Sequence, residues 1–230
     1  MKNLLRLLIS LACVGMSAGL SLNAHSQSAQ AGSPQAGSSQ AGERKAAMCI
    51  GCHGIPGYQA SFPEIYKVPM IAGQNAKYIA SSLAGYKKGD RKHPTMRSIA
   101  TSLSDQDMAD LAAYYEQLGK SGEAAEAKAA PAPAGQVAEL LKKGNCASCH
   151  GENFSKPIDA SYPKLAGQHG DYLYAALRGY QTDKNPQVGR NNAIMMGMAR
   201  LFTHAEVKVI ANYMASLPGD LKTVPQSRWR

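Results

Sequence analysis

The chain has 230 residues, a formal net charge of +9 and five cysteines. A basic chain of this kind can bind nucleic acid, but no nucleic-acid recognition motif is present, and we therefore exclude nucleic acid as a partner. The positive charge instead favours attraction to an acidic protein surface.

The first 26 residues are predicted to form a secretory signal peptide, with cleavage as late as residue 31. Lys2 and Arg6 precede an apolar stretch that ends near Met16, and small residues follow. This stretch is shorter than the roughly 20 residues that span a bilayer, which argues against a membrane anchor. We therefore expect export, loss of Cys13 with the signal, and a charge that falls from +9 to +7 with the removal of Lys2 and Arg6.

Composition divides the remaining chain into two blocks. Residues 27–42 are rich in Ser, Gln, Gly and Ala and predict a flexible leader. The Ala- and Pro-rich residues 119–135 predict a linker. The blocks between and after them are residues 43–118 and 136–218, and residues 219–230 form a tail.

Each block predicts three main helices and no strands. The first helices lie near residues 42–53 and 135–150, and the second near 76–86 and 170–180, with Gly89 closing the first of these. The third begin at capping boxes, Ser104 with Asp107 and Thr203 with Glu206. The blocks are internal repeats, and the matched anchors include the turns 69–74 and 163–168, Tyr78 with Tyr172, and Tyr114 with Tyr213. The fold class is all-α, in two similar domains.

Each block contains one Cys-X-X-Cys-His motif. It occurs at residues 49–53 and again 97 residues later at 146–150. This spacing is typical of c-type haem attachment, in which two thiols bond the porphyrin and the next His reaches the iron. We predict two covalently bound haem c groups, on Cys49, Cys52, Cys146 and Cys149.

Three other interpretations of the cysteines are weaker. A thioredoxin-like pair belongs to a βαβ context, which is missing here. Zinc sites use different spacings of the second ligand pair. Disulfides are possible in an exported protein, but two haems would use all four remaining cysteines.

The motif makes His53 and His150 the proximal iron ligands. Pro69 and Pro163 stand at matched positions before the Ala-Gly-Gln turns. In related cytochromes a Pro carbonyl accepts the N–H of the proximal His, which would orient the ring and tune the iron. Helix-breaking geometry alone could also explain both prolines.

Two methionines are predicted as the sixth ligands. Met96 and Met195 each stand eight residues before the N-cap of the third helix. Met196 and Met198 are alternatives to Met195, because the loop before them is longer and its register is less secure. His93 is a rival to Met96, although a surface role fits it better.

A basic cluster in the first block is a candidate docking surface. It consists of Lys87, Lys88, Arg91 and Lys92. A solvated loop is an equally good interpretation of these charges.

These features together resemble the dihaem cytochrome c4 family across residues 43–218. The resemblance rests on the signal peptide, the two haem motifs, the paired Pro-X-(Ile/Leu)-Ala-Gly-Gln turns and the Met-containing loops before the third helices. It implies two class I cytochrome c domains about a pseudo-two-fold axis, His/Met ligation in both, and electron delivery in the periplasm, often toward a membrane-bound terminal oxidase.

The leading functional hypothesis is an electron-transfer protein rather than an enzyme. It would accept electrons from a quinol-oxidising complex or a dehydrogenase and pass them on to redox proteins with an acidic docking face. The alternative is the cytochrome subunit of a dehydrogenase complex, such as a flavocytochrome. A dihaem peroxidase is less favoured, because it needs an open iron and two matched methionines are present. The oligomeric state stays open.

Overall fold

The computed structural model describes residues 36–120 and 131–226. The predicted signal peptide, most of the leader, the central part of the linker and the C-terminal residues 227–230 lie outside the described residues. In the described ranges no helix is long and apolar enough to cross a membrane.

The described residues form ten helices, which confirms the all-α class. The first half contains α1 (Ser39–Lys45), α2 (Ala47–His53), α3 (Ala76–Lys88), α4 (Pro94–Thr101) and α5 (Asp105–Leu118). The second half contains α6 (Gln136–Gly144), α7 (Ala147–His150), α8 (Gly170–Gln181), α9 (Ala193–Ala199) and α10 (His204–Ser216).

Four short strands were not expected from the sequence. They are β1 (Gln59–Ala60), β2 (Tyr66–Lys67), β3 (Arg91–Lys92) and β4 (Gly189–Arg190). Strand β1 pairs antiparallel with β2, and β3 pairs antiparallel with β4. Each strand has two residues, which is too short to show the alternating pattern by which strands are predicted.

The structure contains the capping interactions that the sequence predicted at the starts of α5 and α10 and the glycine that it predicted at the end of α3. Both capping boxes are formed, with Ser104 bonded to Asp107 at α5 and Thr203 bonded to Glu206 at α10. Helix α3 ends at Gly89, whose φ of 88° lies in the left-handed region that glycine tolerates.

Each half has its own apolar core. In the first half, α1, α3 and α5 pack around Met108, Leu111 and Tyr115. In the second half, α6, α8 and α10 pack around Val207, Ile210 and Met214. We refer to these two bodies as the first and second domains.

Helix α1 begins inside the stretch that was expected to be leader. Ser38 caps it, and the Ser38 N–H also donates to Asp110 Oδ1 at 2.8 Å. Gly42 is buried against α5 so closely that a Cβ there would lie 2.0 Å from the carbonyl oxygen of Asp110. Small residues thus allow close backbone packing without large apolar side chains, and composition alone does not reveal this contact.

The described part of the tail returns to the first domain. The Lys222 N–H donates to the Ala72 carbonyl at 3.0 Å, and Val224 packs against the first core. The side-chain amide of Gln226 donates to the Tyr114 hydroxyl. Residues that follow the second domain therefore complete the first.

The two domains also meet through a reciprocal exchange of hydrogen bonds. Gln74 donates to the Lys164 carbonyl at 3.0 Å and accepts from the Lys164 N–H at 2.9 Å. Gln168 does the same with Met70, at 2.9 and 3.1 Å. Gln74 and Gln168 are equivalent positions of the repeat, so the contact has the local symmetry of a two-fold axis.

Candidate functional site

The two haem motifs lie at the ends of short helices. Cys49 and Cys52 lie on α2, of which His53 is the last residue, whereas Cys146 precedes α7 and Cys149 lies on it. Cysteines three positions apart on a helix share one face, so both thiols of each motif can reach one flat ligand. All four are free thiols and half-buried, and burial raises the pKa of Cys49 and Cys146.

Both histidines are held by a proline carbonyl, as the repeat suggested. His53 Nδ1 lies 2.8 Å from the carbonyl oxygen of Pro69, and His150 Nδ1 lies 3.1 Å from that of Pro163. An Nδ1–H that donates to a carbonyl leaves Nε2 with its lone pair, which is the form that binds a metal. The paired prolines therefore have a positioning role in addition to shaping the turns.

The surroundings of both imidazoles favour the neutral form. Burial lowers the pKa of His53, and the charges of Arg91 and His93 lower it further, against the opposing effect of the Pro69 hydrogen bond. Burial likewise outweighs the Pro163 hydrogen bond and lowers the pKa of His150. Neutral rings with a free Nε2 fit the role of axial ligands.

The two candidate methionines occupy short helices where loops were expected. Met96 is the third residue of α4, and Met195 is the third residue of α9. In each case a side chain at the N-cap accepts from the methionine N–H, His93 Nδ1 at 3.3 Å and Asn192 Oδ1 at 3.0 Å. Asn192 was not among the predicted residues, although its place three residues before the methionine, like that of His93, is typical of a helix cap.

The structure also places the rival ligands. Met195 and Met196 are half-buried, whereas Met198 is 38% exposed. Only Met195 has the helical position that matches Met96. His93 is not the surface residue that was expected, because it caps α4 and packs edge-on against Phe62 and Tyr86.

The four residues of the basic cluster do not share one exposed surface, because Lys87 and Lys88 are exposed whereas Arg91 and Lys92 are half-buried. The Arg91 guanidinium turns inward to Tyr78 and Ser82 and to Tyr172 of the second domain. Lys92 Nζ donates to the Asn185 carbonyl across the domain boundary. The pairing of β3 with β4 draws these side chains to the boundary, and this long-range contact has no local signal in the sequence.

The residues present fit one covalent haem in each domain. Each motif offers two accessible thiols for thioether bonds and one neutral, oriented imidazole for the iron. The bound group supplies one-electron chemistry at iron, while the protein supplies ligands, orientation and electrostatics.

Comparison with known proteins agrees with this site. The sequence model of the family described as Cytochrome c matches residues 39–119 and 134–218. Cytochrome c4 of Azotobacter vinelandii is 30% identical over 190 residues, covering 75% of this chain and 86% of that protein. The thiosulfate dehydrogenase electron acceptor of Stutzerimonas stutzeri is 33% identical over 213 residues, covering 87% of this chain and 93% of that protein.

Two solved structures share the fold. The crystal structure of reduced recombinant cytochrome c4 from Pseudomonas stutzeri has a TM-score of 0.57 at 26% identity, over 80% of this chain and 100% of that chain. A thiosulfate dehydrogenase from Marichromatium purpuratum has a TM-score of 0.58 at 27% identity, over 78% of this chain and 40% of that chain.

Proposed function

We propose that this chain, which belongs to the dihaem cytochrome c4 family, carries single electrons in the periplasm between a respiratory donor and a membrane-bound acceptor such as a terminal oxidase. Family membership makes it an electron-carrying cytochrome with two covalently bound haem c groups. The direction of the electrons, the compartment and the ligand set are the parts that we infer.

The matched positions of two methionines support a function as an electron carrier rather than as a catalyst. Met96 and Met195 have the same position on equivalent capped helices, α4 and α9. A thioether on the sixth position of each iron excludes substrates from the metal and raises its potential relative to a second His. An electron carrier can have the sixth position of both irons occupied by side chains, whereas a peroxidase would need this position to be open in at least one iron.

The remaining residues have defined roles in this proposal. Cys49 and Cys52 bond the first haem, and Cys146 and Cys149 bond the second. His53 and His150 are the proximal ligands, oriented through the carbonyls of Pro69 and Pro163. Such a partner fixes the orientation of each imidazole ring toward the iron.

Export and partner choice rest on the sequence. The signal peptide pattern at residues 1–26 supports export to the periplasm. The mature charge of +7, calculated without haem, favours redox partners with an acidic docking face and predicts association that weakens with salt.

Carbon monoxide binding to the reduced protein tests the carrier assignment. We expect the visible spectrum of the ferrous protein to stay unchanged, because both irons have side-chain ligands on both faces. The variant Met96→Ala should bind carbon monoxide at one of its two haems, and Met198→Ala, its matched control, at neither. Carbon monoxide binding by the unaltered protein would overturn the proposal.

A second candidate is the electron acceptor of a dehydrogenase. The relative from Stutzerimonas stutzeri named as a thiosulfate dehydrogenase electron acceptor matches more of this chain than cytochrome c4 of Azotobacter vinelandii does. Reduction by a thiosulfate dehydrogenase at rates well above those with a quinol-oxidising complex would favour this candidate.

A further inference from the structure

The two helices that carry the candidate methionines are capped by different residues. At the start of α4, His93 Nδ1 accepts from the Met96 N–H at 3.3 Å. At the start of α9, Asn192 Oδ1 accepts from the Met195 N–H at 3.0 Å. Each cap therefore bonds to the backbone of the candidate iron ligand itself. An Nδ1 that accepts a hydrogen bond carries no proton, so the His93 ring is neutral with its proton on Nε2.

Two aromatic rings hold the cap of α4 in place. The centre of the His93 ring lies 6.4 Å from that of Phe62 and 6.5 Å from that of Tyr86, and both contacts are edge-on. Asn192 is exposed, whereas His93 is half-buried. In the two ranges that the structure describes, the Asn192 side chain has no second hydrogen bond. Residues outside the helix thus fix the first cap, and the second depends on its own hydrogen bond.

The sequences of the two helices differ in the same direction. Helix α4 begins with Pro94, whose fixed φ favours the first helical turn, and α9 begins with Ala193. At the next matched position that differs in helix propensity, α9 has Gly197 where α4 has Ser98. Glycine in a helix interior is unfavourable because it has more conformational freedom to lose than other residues. Helix α9 is therefore the less stable of the two.

Packing does not explain the glycine in α9. A Cβ built on Gly197 has no atom of the described residues within 4 Å, and its φ lies outside the left-handed region. Gly197 is exposed and stands two positions after Met195, about 200° around the helix axis, so it lies on the opposite face of α9. The effect of Gly197 on this helix is thus a loss of stability without a gain in contacts.

The stability of each helix start sets how easily its methionine leaves an iron. A thioether can be replaced only after the methionine has moved, and its backbone is tied to the helix cap. An added ligand binds only this open form, so its apparent affinity rises with the population of the open form. The firmer start of α4 should therefore protect the first iron more than α9 protects the second.

We propose that His93 is a positioning residue that holds Met96 on the first iron, and that the second iron is the one that takes up a small nitrogenous ligand such as imidazole. In this exchange the lone pair of the imidazole nitrogen replaces the thioether of Met195. The iron stays ferric, and neither an electron nor a proton is transferred. The reduced protein stays closed, because a thioether favours ferrous iron. This inference rests on the methionine ligation that is part of the proposed function.

Imidazole titration of the oxidised holoprotein tests which iron opens. In Met96→His the remaining methionine-to-ferric-iron band reports the second domain, and in Met195→His it reports the first. We expect half of the remaining band to be lost at an imidazole concentration about tenfold lower in Met96→His than in Met195→His. Equal concentrations, or the reverse order, would overturn the proposal. A variant that kept the full band would instead refute the ligand assignment, so the two failures are distinguishable.

Variants of the cap test the role of His93 in the otherwise unaltered protein, which should lose its band in two steps of equal size. His93→Ala should move the later step to about tenfold lower imidazole and leave the earlier step in place. His93→Asn copies the cap of α9 and should recover part of this loss, which also covers the case in which His93→Ala fails to incorporate haem. His204→Ala, at an exposed residue of α10, is the control. A later step that moves in neither His93 variant would overturn the proposal.

Reciprocal glycine variants test the contribution of the helices. Gly197→Ala should move only the earlier step, to about fivefold higher imidazole. Ser98→Gly makes the opposite change in α4 and should move only the later step, to about twofold lower imidazole. An earlier step that does not respond to Gly197→Ala, or that responds to Ser98→Gly instead, would overturn the assignment of the more easily opened iron to the second domain.

Discussion

Gln74 and Gln168 make the same pair of hydrogen bonds in opposite directions across the domain boundary. Each side-chain amide donates to one backbone carbonyl of the other domain and accepts from the N–H of the same residue. Gln74 is 4% exposed and Gln168 is 3% exposed. Because both ends of each amide are used and buried, the exchange fixes the relative position of the two domains.

Replacement of either glutamine by Ala should weaken the boundary. Each change removes three hydrogen bonds, two to the other domain and one from the N–H of the next residue. Two backbone N–H groups and one carbonyl lose these partners, at a cost of about 2 kcal/mol. Calorimetry of the holoprotein should show a lower melting temperature for Gln74→Ala and Gln168→Ala, and no change for Gln136→Ala, which alters an exposed residue. Equal melting temperatures for all three would show that the exchange contributes no stability.

Replacement of a methionine ligand should change one iron at a time. His in place of Met96 or Met195 should lower the potential of that haem, because a thioether favours ferrous iron more than an imidazole does. Each variant should lose half of the methionine-to-ferric-iron absorption. The controls Met196→Leu and Met198→Leu should keep the full band. If one of these controls lost half of the band, the methionine replaced in that control, and not Met195, would be the ligand.

Asp110 anchors α1 to the first core. Its carboxylate is 4% exposed and accepts from Lys45 Nζ at 2.8 Å, from the Ser38 N–H at 2.8 Å and from Gln106 Nε2 at 3.0 Å. Asp110→Asn places an amide donor among these donors, and should lower the free energy of unfolding by about 2 kcal/mol. Denaturant titration checks this, with Asp105→Asn at the exposed first turn of α5 as the control.

The same anchor predicts a loss of stability in acid. Hydrogen bonding to Lys45 lowers the pKa of Asp110 and, together with Ser104, that of Asp107 to about 2. A carboxyl whose pKa is depressed by folding contributes stability above its unfolded pKa of about 3.9, and this contribution disappears as the pH falls toward 2.

The variant Lys45→Met isolates this pH effect. Its free energy of unfolding should be lower than that of the unaltered protein at pH 6. The two free energies should converge as the pH falls from about 4 to about 2, the range between the unfolded and folded pKa values. A stability difference that stays constant over this range would contradict the carboxyl–lysine explanation.

The tail should stabilise the domain that it does not follow in sequence. Truncation after Pro218 removes the bond from Lys222 to Ala72, the packing of Val224 and the contact of Gln226 with Tyr114. We expect a loss of about 2 kcal/mol from these contacts. Amide hydrogen exchange should quicken in α3 and α5. Truncation after Gln226, which keeps all three of these contacts, is the control. Faster exchange confined to α8 and α10 would contradict the account.

Local signals explain how much of the fold was predictable. The capping boxes at Ser104 and Thr203 and the helix end at Gly89 depend on neighbouring residues, and all are present in the structure. The proline carbonyls were found because the repeat aligned Pro69 with Pro163. Local chemistry repeated twice in one chain thus predicted the proximal side of both haem sites.

Long-range contacts account for what the sequence did not reveal. Arg91 lies in a run of basic residues, and only its pairing with Arg190, 99 positions later, turns it from the expected docking surface toward the domain boundary. The start of α1 depends on Gly42, which meets α5 through backbone atoms that carry no hydropathy signal. The contact of Val224 with the first core likewise spans the whole second domain.

The absorption spectrum of the exported, oxidised protein, combined with a chemical haem count, tests the central claim most directly. The claim is that one chain holds two haems and that a methionine is the sixth ligand of each iron. We predict two haems per chain and a methionine-to-ferric-iron band of the intensity expected for two such irons. Two haems with a band for only one, or with none, would contradict the carrier assignment and leave an iron open to a substrate.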